Sequence, residues 1–192
     1  MKNAHLLGAE DRPAPGRLRF VQGLLNTLDV ERGTDRLADT PQAAAWLERF
    51  GLVADARAID AADTARLRTF REAVRTLIST QEDQGQVRDA AEALHQLSAG
   101  IELGVRFDTT GTVSVENRST GIEAAIGALI VAIHEAQMTG TWERLKSCAR
   151  DSCRWAFYDA SKNHSSNWCS MQTCGNREKV ARHRHRAAAS QS

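Results

Sequence analysis

The first 147 residues of this 192-residue chain contain no cysteine, and other familiar signals are missing altogether. No apolar run approaches 18 residues, which speaks against a membrane-spanning helix. The opening stretch is far too weakly apolar for the core of a secretory signal, so a cytoplasmic setting is expected. There is no Gly-rich phosphate loop with a following Lys and no G-x-S-x-G elbow. His134-Glu135 resembles the start of a metalloprotease H-E-x-x-H, but position 138 is Met, so the second ligand is missing. A histidine beside a core face is more often packed or half-exposed than catalytic. Internal repeats and low-complexity tracts are absent too. No catalytic constellation emerges, and the chain is not expected to be an enzyme.

What is present is a foldable chain with an uneven charge. Its hydrophobic fraction is 42% and its charged fraction 26%, the range of a protein with a real core. Residues 1–141 hold 15 Lys and Arg against 20 Asp and Glu, a net of −5. Residues 142–192 hold 10 against 4, a net of +6, with three histidines besides. A basic final quarter reads as a separable module with a polyanionic partner.

The patterning predicts a mainly α fold in three parts. Residues 1–16 read as a loose leader, since Pro13, Pro15 and Gly16 break any helix. Residues 17–141 read as a helical domain with one small β-hairpin. Leu18, Val21, Leu24, Leu25 and Leu28 give its first apolar face, and Gly33 ends or follows that helix. Thr40 as cap, Pro41 and Gly51 bracket a second helix carrying Ala43, Trp46, Leu47 and Phe50. A third helix starts near Asp63 and buries Leu67, Phe70, Val74, Leu77 and Ile78. Arg66, Arg68, Arg71 and Arg75 then form its solvated edge, a likelier role for a charged row than anion binding. Val87, Ala90, Ala91, Leu94 and Leu97 define a fourth helix. Alternation over 101–116 around Asp108-Thr-Thr-Gly111 predicts the hairpin. Thr120-Gly-Ile-Glu123 reads as a capping box opening a fifth helix to about Met138. Apolar walls between such helices leave room for a small-molecule effector.

The four cysteines fall within residues 148–174. They form two pairs, Cys148-x₄-Cys153 and Cys169-x₄-Cys174, separated by fifteen residues. Two tight turns presenting two thiolates each, brought together by a short loop, are what a tetrahedral Zn²⁺ site needs. Two disulfides are the less favoured alternative, because they belong to oxidising compartments. With four thiolates the coordination sphere closes, so the zinc would be structural.

The surrounding residues carry a recognisable pattern. It runs Leu145-Lys146-x-Cys148, Cys153, Phe157-x-Asp159-x-Ser161, Trp168-Cys169-Ser170-Met171 and Cys174-Gly175-Asn176-Arg177-x-Lys179. Over about 40 residues this resembles the CGNR-type zinc finger. The upstream domain, through Leu24-Leu25-Asn26-Thr27 and Trp46-Leu47-x₃-Gly51-Leu52, is similar to the helical partner found before this finger in bacterial proteins described as stress-induced transcription regulators. The resemblance implies a DNA-binding regulator. One departure stands out: the loop before Trp168 is His164-Ser-Ser-Asn167, with only Lys162 basic, where family members often carry more Arg or Lys.

Several residues here support more than one role. Gly175 would let the backbone turn its N–H groups toward sulfur, and Asn176 would cap a final helix running to about Ala189. Arg177 could serve the metal site or a nucleic acid equally well. Trp155, Phe157, Tyr158 and Trp168 could stack on bases, but packing around the zinc is favoured in so small a module. Lys179, Arg182 and Arg186 line one stripe of the last helix, with Arg177 and Arg184 on another, a distribution suited to phosphates. Together with Lys162 these are the expected nucleic-acid contacts. A homodimer fits this reading. The competing one is an interaction module whose finger binds protein or RNA instead of DNA.

Overall fold

The computed structural model describes residues 12–79 and 83–181. Five helices build the larger part: α1 (Leu18–Leu25), α2 (Thr40–Phe50), α3 (Ala61–Ile78), α4 (Gln84–Ser98) and α5 (Gly121–Met138). Three antiparallel strand pairs are inserted: β1 (Leu28–Asp29) with β2 (Thr34–Asp35), β3 (Leu103–Phe107) with β4 (Val113–Asn117), and β5 (Leu145–Ser147) with β6 (Ala156–Tyr158). A π turn, Met171–Gly175, leads directly into α-helical residues 176–181; the whole is called the finger helix below. The fold is mainly α, as the patterning requires.

Local chemistry sets the boundaries. Asp39, not Thr40, caps α2 by accepting from the Gln42 N–H, and Gly51 closes it in the left-handed conformation at φ 62°. Asp60 and Asp63 form a reciprocal capping box on α3, so that helix begins two residues earlier than its apolar stripe suggests. The capping box expected at Thr120 does not form. Its Glu123 carboxylate is taken instead by Arg66 of α3 at 2.6 Å. Leu28 leaves α1 for β1, and Gly33 sits in the β1–β2 connection. On α4 only Ala90 is fully buried, and Val87 and Ala91 face out, because that helix leans on the side of α3.

Leu18, Val21, Leu24 and Leu25 of α1 pack with Leu67, Phe70 and Val74 of α3 and Ile122, Ile126 and Leu129 of α5 in one core. Helix α5 is long and apolar enough to cross a membrane by length and composition, contrary to the expectation from run length. Its inner face is a wall of this core.

The same core continues into the C-terminal part through Leu145 and Ala156, with Trp142 and Tyr158 packed against it. The finger is therefore joined to the helical domain and is not separable in packing. Residues 12–16 form no helix, as Pro13 and Pro15 dictate, but they are not loose. Ala14 is buried, and the Arg12 carbonyl accepts from the Tyr158 N–H at 3.1 Å.

The arginine row of α3 is the largest departure from the sequence reading. None of the four is a solvated edge. Arg68 donates to the Leu37 and Ala38 carbonyls. Arg71 is buried and makes a bidentate pair with Asp35 at 2.6 and 2.9 Å, plus a bond to Thr27 Oγ1. Arg75 is 0% exposed and donates to the carbonyls of Leu25 and Arg154. These carbonyls belong to helix ends and turns. A fixed fork of five donors satisfies several at once, which is why guanidinium is tolerated inside.

Candidate metal centre and its basic helix

Two turns and one helix start bring the cysteines together. In the first turn the Cys153 and Arg154 N–H groups both donate to the Arg150 carbonyl, and Arg154 takes the left-handed conformation at φ 52°. That turn is pinned from both sides. The Cys148 N–H donates to the Trp155 carbonyl at 2.9 Å, and the Ala149 N–H to the Asn167 carbonyl at 2.8 Å. Cys169 and Cys174 bracket the start of the finger helix, where Ser170 is the cap and accepts from the Thr173 N–H. Asn176, expected to cap, lies inside the helix and donates to the Gln172 carbonyl at 3.0 Å.

The four Sγ atoms lie within 4.8 Å of one another, and all four cysteines are free thiols. Cys153 and Cys169 are 3.8 Å apart, and Cys169 and Cys174 are 3.7 Å apart. A tetrahedron of sulfurs around Zn²⁺ at about 2.3 Å has an edge of about 3.8 Å. The cluster therefore has the dimensions of a four-thiolate metal site. Its acid–base chemistry points the same way. The Cys148 thiol is lowered to about 2, first by the Cys153 S–H and then by that of Cys169. Cys153 is pushed up to about 12, and Cys169 is raised as well, in both cases chiefly by Cys148. Sulfurs that oppose one another's ionisation so strongly need a soft divalent cation to ionise together.

The other residues of the pattern have visible tasks. Asp159 is fully buried, and its carboxylate accepts from Lys146 Nζ at 2.8 Å, the Ser166 N–H at 2.9 Å and the Ser161 N–H at 3.0 Å. Burial opposes its ionisation, yet Lys146 and Ser161 hold the carboxyl well below its usual range. Lys146 also donates to the His164 and Ser166 carbonyls, so one ion pair organises the loop leading to Trp168. Trp155 and Trp168 pack on the sulfur cluster, Phe157 is buried and Tyr158 joins the main core. Packing is thus the task of all four aromatics. Gly175 does not aim its N–H at sulfur; that N–H donates to the Ser170 carbonyl at 3.0 Å. A Cβ there would lie 2.5 Å from Met171 Sδ, so a larger residue would push that exposed, flexible side chain aside.

The candidate nucleic-acid residues divide. Lys179 is exposed on the finger helix, and Lys162 is exposed in the loop after β6. Arg177, also on the helix, pairs with Glu31 of the helical domain rather than with the sulfurs. Arg182, Arg184 and Arg186 lie outside the described residues.

Sequence reasoning missed the residues that fix the centre to the helices. Asn26 holds both the N–H and the carbonyl of Ala156, at 2.8 and 2.9 Å. Gln22 donates to that carbonyl and to the Arg12 carbonyl, and its own oxygen accepts from the Ala14 N–H. The Arg12 guanidinium stands over the Phe157 ring and donates to Ser166 and the Trp168 and Cys169 carbonyls. Arg75 reaches the carbonyl of Arg154, directly after Cys153. A signal did exist: Leu18, Gln22 and Asn26 follow one another at i, i+4 and i+8, which places two amides in an apolar line.

Comparison with known families places both parts. The model described as CGNR zinc finger matches residues 144–187. The model ABATE, described as "Putative stress-induced transcription regulator", matches residues 18–150. Neither description is of an enzyme class. No curated protein matches the chain.

Proposed function

The chain belongs to the ABATE family of transcription regulators and carries a CGNR zinc finger; on that premise we propose that it is a bacterial, cytoplasmic DNA-binding regulator. Cys148, Cys153, Cys169 and Cys174 hold one structural Zn²⁺, leaving no open position for a reacting water. The ion supplies folding energy and fixes the start of the finger helix. That helix presents Arg177 and Lys179 to the DNA backbone, with Lys162 as an outlying contact; Arg182, Arg184 and Arg186, outside the described residues, are the further expected contacts. Free thiols at this spacing suit a reducing compartment.

The observation that carries the reading is the placement of the last two cysteines at the start of the helix that bears Arg177 and Lys179, so that a metal held there would fix how these two cations are presented. The test is DNA affinity across a salt series. Affinity should fall steeply with salt, and replacing Lys179, Arg182 and Arg186 together should flatten the slope by about 2 to 3 in log–log terms. DNA binding that ignores salt, or is absent in the zinc-loaded protein, overturns the proposal.

The helical domain serves association or effector sensing. For association, the supporting observation is the β3–β4 hairpin, whose Leu103, Val105, Phe107, Val113 and Val115 are all exposed. For sensing, a groove of about 300 Å³ lies between the start of α1 and the end of α5, lined by Leu18, Ala132, Glu135 and Thr139 among others.

A further inference from the structure

The geometry points to Arg150 and Arg177 as a phosphodiester-binding pair, which Glu31 occupies in the free protein and the DNA backbone displaces. This rests on the proposed DNA-binding function and names two contacts and a regulator for it. Glu31 sits in the β1–β2 connection of the helical domain. A single oxygen of it, Oε1, accepts from Arg150 at 3.4 Å and from Arg177. The two arginines come from different elements, one from the first cysteine turn and one from the finger helix. One oxygen shared between two guanidinium forks is the arrangement a phosphate oxygen takes in a double-arginine site. Glu31 thus stands where such an oxygen would sit.

The surroundings favour displacement. Arg177 and Glu31 have side chains 51% and 41% exposed, and Arg150 22%. Both arginines open onto a groove of about 610 Å³, lined also by Gln172, Asn176, Val180 and the carboxylate of Glu178. Exposed ion pairs contribute little to folding. The joint between finger and helical domain is already made by the buried Gln22, Asn26 and Arg75, so breaking the Glu31 contact does not undock the finger. A strong polyanion recruits both cations; a weak one leaves the carboxylate where it is.

The experiment compares the full-length, zinc-loaded protein with Glu31→Gln on a duplex of about 20 base pairs at about 100 mM salt. Glu31→Gln should bind roughly threefold to tenfold tighter, with unchanged zinc content and melting temperature. Arg177→Gln should cost at least about three times more affinity in the Glu31→Gln background than in wild type, because only there is the arginine free beforehand. Inorganic phosphate at matched ionic strength is the second probe. No competition at about 10 mM supports a polymeric phosphodiester; competition at about 1 mM overturns DNA as the occupant. If wild type binds DNA and Glu31→Gln binds equally or more weakly, the clamp is wrong while the DNA reading stands. If neither protein binds at any salt, the DNA reading itself falls.

Discussion

Two hairpins in this molecule have the same antiparallel form and opposite fates. β3–β4 pairs five residues a side, and its apolar face points at solvent, with Phe107 68% and Val105 59% exposed. β5–β6 pairs only three residues a side, yet Leu145 and Ala156 are built into the main core and Asn26 grips Ala156 as a neighbouring strand would. Length and alternation therefore say little about how firmly a hairpin is held. A short one is fixed by what it touches, and isolated two-stranded pairs are marginal in water. The helical domain builds the cysteine-bearing hairpin into its core and holds its own hairpin chiefly at the base, through Asn117 on α5.

The strongest way to break this contrast is to remove the metal. Cys169→Ser should abolish stoichiometric zinc, and the thermal transition of the whole protein should fall rather than that of a small tail alone, since zinc binding in such sites amounts to roughly 10 kcal/mol or more. A calorimetric trace in which the helical domain melts unchanged would show the two parts to be independent. Next, Arg75→Met should cost about 3 to 5 kcal/mol in denaturant unfolding, because the carbonyls of Leu25 and Arg154 lose the guanidinium that bridges them inside the protein. Asn26→Ala should cost about 2 kcal/mol, two buried hydrogen bonds, and should speed amide exchange at Ala156.

Acid gives a smaller and directional effect. The Asp159 carboxyl is depressed in the folded state, so its contribution is fully present above its unfolded pKa of about 3.9 and is lost as pH falls toward the folded value. Melting temperatures of wild type and Asp159→Asn should therefore converge below about pH 4. A constant gap down to pH 2 would count against the Lys146–Asp159 pair as its source. Smallest of all, Phe107→Ser should change stability by under about 0.5 kcal/mol, since the ring touches little of its own chain. Its readout is association, where sedimentation should show a weaker self-association or none.

The contrast also explains what could be read in advance. β3–β4 alternates over enough residues for period two to register, whereas β1–β2 and β5–β6 are two or three residues long and have no period to detect. The helices of the larger domain follow apolar stripes, α4 least closely, and the caps of α2 and α3, Asp39 and Asp60, lie just outside those stripes. The cysteine spacing identified the four-sulfur cluster because chelation constrains spacing directly. Its attachment was hidden, because Arg75 looks like any surface arginine until the Leu25 and Arg154 carbonyls opposite it are known. Glu31 and Arg150, distant in sequence, are joined only by the fold.

Helix α3 is about 27 Å long at 1.5 Å per residue. Near its start Arg66 holds Glu123 of α5, and near its end Arg75 holds Arg154, the residue after Cys153. It is a strut without a hinge, built of one continuous hydrogen-bonded segment. Its two ends therefore hold α5 and the first cysteine turn at one fixed separation, so the position of the finger is set by the body that carries it.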